Sequence, residues 1–98
     1  MEGFNNAISN GFVIVDFYAP WCGDCVRIEP ILRDLEKEYK IIKVSIDENE
    51  NLSNEYGIRR IPTLIFFKDG KEVGNRLVEP KSKTQIIEEI EKIKWKNF

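Results

Sequence analysis

The sequence predicts an α/β fold, a mixed four-stranded sheet with helices on both faces. Three features predict it. Segments rich in β-branched and aromatic residues alternate with segments of helical period, in the order α-β-α-β-α-β-β-α. The first strand segment, FVIVDFYA, is apolar almost throughout, as in a strand covered on both faces. The last two strand segments are joined by the tight turn Lys68-Asp69-Gly70, which closes the sheet with a hairpin. The 98 residues suit one domain, read as 1–98, and can bury a core without a disulfide framework.

Each element has a local reason. Phe4, Ala7 and Ile8 fall at i, i+3, i+4 and predict a short amphipathic helix, stopped by Asn10-Gly11. The strand at 12–19 ends at Pro20. From 24 to 39 the period changes: Ile28, Ile31, Leu32, Leu35 and Tyr39 form a helical stripe, and Pro30 within it predicts a kink. Residues 41–47 (IIKVSID) read as a second strand and 50–57 as a short helix with Gly57 as its stop. Residues 63–67 and 71–79 are the hairpin strands, and Pro80 breaks the chain. The final helix runs over 82–95, with Ser82 as N-cap and Ile86, Ile90 and Ile93 facing inward.

Composition excludes several functions. Acids and bases are interspersed, the net charge is −2, and no basic patch stands out; neither nucleic acid nor an anionic membrane is expected as a partner. No apolar run approaches a membrane span, and the first residues lack the features of a secretory signal, so the cytoplasm is the expected location. There is no histidine, which removes the usual neutral-pH base and the commonest metal ligand. No Gly-rich phosphate loop is present, and no bound cofactor is expected.

Two features remain. An acid, Asp16, sits inside the apolar first strand. The chain's two cysteines, Cys22 and Cys25, bracket Gly23-Asp24 at a strand-to-helix junction. Unpaired N–H groups and the positive helix end favour a thiolate at Cys22. Cys22 can attack a substrate disulfide, and Cys25, one turn away, can resolve the mixed disulfide. Such chemistry needs no metal. A zinc site wants about four ligands and would require carboxylates or a second subunit; a c-type haem site would need His where Val26 stands.

The segment VDFYAPWCGDC resembles the thioredoxin signature, whose usual form is V-D-F-W-A-x-W-C-G-P-C. YGIRRIPTLIFFKDG resembles the family's cis-proline segment, and Pro30 matches the proline of its active-site helix. The likeness runs from about Phe12 to Gly74, with a compatible last helix. The resemblance implies a thioredoxin-like fold with a cis Pro62. It also implies a reductase of protein disulfides, with Cys22 as nucleophile and Cys25 as resolving thiol. The backbone at Ile61 would pair with an extended substrate, and Trp21 would share that surface. Asp16 matches the family's buried aspartate, which exchanges a proton with the resolving cysteine, and Lys43 its lysine partner, expected to pair with Asp16. Disulfide-containing proteins are the implied substrates, an NADPH-dependent reductase the implied recycling partner, and a monomer the implied state.

The sequence departs from the family in three places. Asp24 replaces the usual proline; with Gly23 it is expected to tune the redox couple, since its charge suits a helix start but opposes a neighbouring thiolate. The first edge strand is expected to be absent, leaving four strands. Val78 or Glu79 stands where the family carries a loop glycine. Arg59 and Arg60, just before Pro62, read as solvated charges. An oxidase or isomerase, or a non-catalytic binding module on the same fold, are the alternative readings.

Overall fold

The computed structural model describes residues 3–97. The predicted order of elements is present: α1 (Phe4–Ile8), β1 (Phe12–Tyr18), α2 (Gly23–Leu35), β2 (Lys40–Ser45), α3 (Glu50–Glu55), β3 (Thr63–Lys68), β4 (Lys71–Val78) and α4 (Lys83–Asn97). The sheet has four strands in the order β2-β1-β3-β4. β1 and β2 are parallel because α2 carries the chain back between them; β1/β3 and β3/β4 are antiparallel.

β1 is central, and its alternation builds two cores. Ile14 faces one side with Leu64 and Phe66 of β3, against Ile28, Leu32 and Leu35 of α2 and Ile86, Ile90 and Ile93 of α4. Val13, Val15 and Phe17 face the other with Ile65 and Phe67, against Phe4 and Ile8 of α1 and the partly buried Leu52 and Tyr56 from α3 and its end. This explains the near-continuous apolar run: both faces of the strand are covered. Asp16 shares the face of Ile14, and therefore points towards the layer that holds α2.

The punctuation residues behave as read. Asp69 and Gly70 both have positive φ, 50° and 87°, as a two-residue hairpin turn requires. The Asp69 carboxylate accepts the Gly11 N–H at 2.7 Å, tying this turn to the start of β1. α3 ends in a Schellman arrangement: Ile58 N–H donates to Ser53 O at 2.9 Å and Gly57 N–H to Asn54 O at 3.0 Å, with Gly57 left-handed. Ser82 caps α4 by accepting the Gln85 N–H at 3.2 Å.

Some boundaries move. α2 passes through Pro30 but stops at Leu35, short of 39. Its last turn tightens: the N–H groups of Lys37 and Glu38 reach back only three residues, to Asp34 and Leu35. Tyr39 still packs on the α2 core from outside the helix. β2 starts at Lys40 and ends at Ser45, which leaves Asp47 in the following turn. β4 ends at Val78 and carries an irregularity opposite Leu64–Phe66. Gly74 there has φ 67°, and a Cβ on it would lie 2.6 Å from Ile93 Cγ1; α4 packs directly on this bulge. Buried Glu89 of α4 accepts the Asn75 N–H at 2.9 Å, satisfying a donor that the bulge frees from the ladder.

Candidate active site

β1 and α2 deliver the cysteines. After Pro20 the chain turns, with Cys22 N–H donating to Ala19 O at 3.2 Å, and Cys22 becomes the N-cap of α2 in an extended conformation. Its side chain does what an N-cap oxygen usually does: Sγ accepts the Cys25 N–H at 3.1 Å. Both thiols are free. Cys22 Sγ also lies 3.7 Å from Ile61 O, to which its S–H donates. Hence the Ile61–Pro62 loop sits against the cysteine pair, and the bond between those two residues is cis, as the resemblance implied.

The two sulfurs differ in environment more than in exposure. Cys22 is 8% exposed and Cys25 4%. Burial, then the hydrogen bond to Cys22, push the Cys25 thiol up to about 12; the charges of Cys22 and Asp16 add to this. Cys22 instead has a first-turn amide of α2, that of Cys25, directed at it.

Asp16 is 1% exposed, and its Oδ1 has no hydrogen-bond partner among the described residues. Burial raises its pKa from 3.8 to about 7; Lys43 pulls it down and Glu29 pushes it up. The expected Asp16–Lys43 ion pair is not formed, which corrects the sequence reading. Lys43 stands beside Asp16 in the β1–β2 register, but its ammonium pairs with Glu29 of α2 and sits 4.5 Å from the Tyr18 ring centroid. The lysine reaches outward because a partner at the rim leaves it partly solvated, whereas Asp16 would bury it.

Asp24 occupies the first turn of α2, partly exposed. Arg27 Nη2 is 2.9 Å from Oδ1, and Lys81 Nζ is 3.9 Å from Oδ2. The Arg27 hydrogen bond, then the Lys81 charge, hold its carboxyl below the usual range. The Asp24 charge therefore reaches Cys22 already offset by two cations. Trp21, 69% exposed, is held by its Nε1–H donating to Asp47 Oδ2 at 2.7 Å. Glu79 is left-handed, φ 52°, and its N–H donates to Pro62 O at 2.7 Å, so the loop after β4 closes on the Pro62 loop. Arg60 pairs with Glu79 at 3.7 Å rather than standing alone. Among the described residues no three His, Cys, Asp or Glu side chains are grouped as metal ligands, and no helix is long and apolar enough to cross a membrane.

The Thioredoxin family model matches residues 1–92. The chain belongs to the thioredoxin family. It is 46% identical over 89 residues to a thioredoxin of Chlamydia caviae, covering 88% of this chain and 86% of that one. It is 43% identical over 76 residues to the thioredoxin of Bacillus subtilis, covering 74% and 73%. Among solved structures, a mutant thioredoxin from Halobacterium salinarum superposes with a TM-score of 0.83 at 35% identity, over 91% of this chain and 80% of that one. The fold is thioredoxin-like, and with the cysteine pair in place the protein is a thiol–disulfide oxidoreductase acting as a protein-disulfide reductase. Members of this family act on disulfide substrates and are recycled by a reductase. Four site features were not anticipated from sequence. Glu29 lies four residues after Cys25, a helical spacing that could have flagged it. Asp47, Lys81 and the Glu79–Pro62 bond join segments far apart in the chain and have no local signal.

Proposed function

We propose that Cys22 and Cys25 reduce protein disulfides as nucleophile and resolving thiol, with Asp16 as the proton acceptor. The Cys22 thiolate attacks one sulfur of the substrate disulfide; a Cys22–substrate S–S bond forms, and the other substrate sulfur leaves and takes a proton. Cys25 then gives its proton to Asp16, its thiolate attacks Cys22 Sγ to form the Cys22–Cys25 bond, and the second substrate sulfur leaves as a thiolate that takes a proton from solvent. Two electrons pass from the dithiol to the substrate. In the mixed disulfide Cys22 carries no charge, so its share in keeping Cys25 protonated is gone when deprotonation is needed.

Extended substrate docks beside Ile61 and Pro62, with Trp21, fixed by Asp47, on the same surface, while Gly23 and Asp24 tune the couple. Lys43 acts on Asp16 through the field rather than through a bond. The chain works as a monomeric single domain in the cytoplasm, reduced by an NADPH-dependent thioredoxin reductase. The observation that carries this reading is the Cys25 N–H aimed at Cys22 Sγ at 3.1 Å, a helix donor trained on sulfur.

The test is catalysed reduction of a protein disulfide with a small dithiol as electron donor. Cys22→Ser abolishes turnover, and Cys25→Ser accumulates a mixed disulfide on Cys22. Turnover unchanged in Cys22→Ser sinks the proposal in favour of a scaffold role. A reduction potential above that of the glutathione pool would favour the oxidase reading instead.

A further inference from the structure

Glu29 has no part in the sequence motif, yet the structure pairs it with Lys43, the cation that acts on the buried acid. It lies one helical turn after Cys25 on α2, on the same side of the helix. Its carboxylate pairs with Lys43 Nζ. Tyr18, Cys25, Glu29 and Lys43 together line a small cavity of about 150 Å³ that opens at the surface. Asp16 lies in register with Lys43 on the adjacent strand and keeps an oxygen without a partner.

We propose that Glu29 is a positioning residue for the proton step: by holding the Lys43 ammonium at the mouth of this cavity it keeps that charge off Asp16, and so sets the pH at which Asp16 accepts the Cys25 proton. This rests on the reading of Asp16 as the proton acceptor. The groups that bear on Asp16 are few. β2 contributes Lys43, and α2 contributes Cys25 and Glu29. β3 places Leu64 opposite Asp16, and α4 presents Ile86, Ile90 and Ile93 to this layer. On β1 itself Tyr18 shares the face of Asp16, with Lys43 against its ring. Lys43 is therefore the one cation that acts on Asp16 among the described residues, and its position decides how strongly it favours the carboxylate. Glu29 acts in one direction by two routes: its own charge disfavours a second carboxylate nearby, and its pairing draws Lys43 outward.

The test is the pH profile of single-turnover disulfide reduction, with the Asp16 carboxyl carbon followed by NMR in the same variants. Glu29→Gln is a change at a partly solvated helix position and leaves the core untouched. It shifts the midpoint of the rising limb, and the Asp16 titration, to lower pH by about half to one unit. Lys43→Met shifts both upward by a similar amount. Glu29→Asp, which keeps a carboxylate, stays closer to the parent than Glu29→Gln does. A Glu29→Gln profile that does not move, or moves upward, overturns the assignment. Asp16→Asn separates the two levels: if it removes the limb while Glu29→Gln leaves it in place, only the role of Glu29 fails. If Asp16→Asn leaves the limb unchanged, the reading of Asp16 and the inference fail together.

Discussion

Asp16 carries a stability cost whose size follows from its burial, and Asp16→Asn exposes it. In the unfolded chain the carboxyl titrates near 3.8; in the fold burial raises it to about 7. Below pH 4 it is protonated in both states and contributes nothing. Between about 4 and 7 the unfolded chain loses its proton first, so the folded state binds more protons and stability falls as pH rises. Above 7 both states are ionised and the loss is constant. A shift of about three units, at about 1.4 kcal/mol each, amounts to about 4 kcal/mol. Asparagine does not titrate. Its amide adds a pH-independent cost of about 1–3 kcal/mol for donors without partners, which cancels when two pH values are compared. The assay is urea unfolding of the reduced parent and variant at pH 4 and pH 8. The stability of Asp16→Asn relative to the parent should rise by about 4 kcal/mol between the two. Parallel pH dependences, differing by less than about 1 kcal/mol over that interval, would refute the claim that burial leaves this acid uncompensated.

Two further substitutions probe the surroundings. Asp24→Asn should change the Cys22 alkylation rate at pH 7 by less than about threefold, because Arg27 and Lys81 already offset the carboxylate; a tenfold acceleration would show that they do not. Gly74→Ala puts a Cβ 2.6 Å from Ile93 at a left-handed position. It should cost about 2–4 kcal/mol in urea unfolding, from backbone strain and overpacking together, and a loss below about 0.5 kcal/mol would mean that α4 moves aside freely.

What the sequence revealed depended on the range of the interaction. β1 was legible because burial on both faces leaves an apolar run, and the α2 start because its cap, Cys22, and its first-turn acid are local. The hairpin was written in Asp69-Gly70, and the end of α3 in Gly57. The end of α2 was not: the stripe continues through Tyr39 in sequence, but the helix tightens after Leu35 and Tyr39 reaches the same core from a turn. The bulge at Gly74 follows from the close approach of α4 and its Glu89, which no window of β4 contains. At the site, the cysteines and the Pro62 segment came from compact motifs. The Lys43 partner did not, because a register neighbour and a helix neighbour compete for one long side chain, and solvation decides between them. Asp47 took its role from the turn after β2, where strand periodicity gives no direction.

The central claim is that one of two nearly equally buried sulfurs is the nucleophile, and that its helix position, not its exposure, makes it so. Limited alkylation of the reduced protein at pH 7, followed by peptide mapping, tests this most directly. Cys22 should be modified first, with Cys25 slower by at least about a hundredfold because its thiol, pushed up to about 12, supplies almost no thiolate at neutral pH. Equal labelling of the two, or Cys25 ahead of Cys22, would contradict the account.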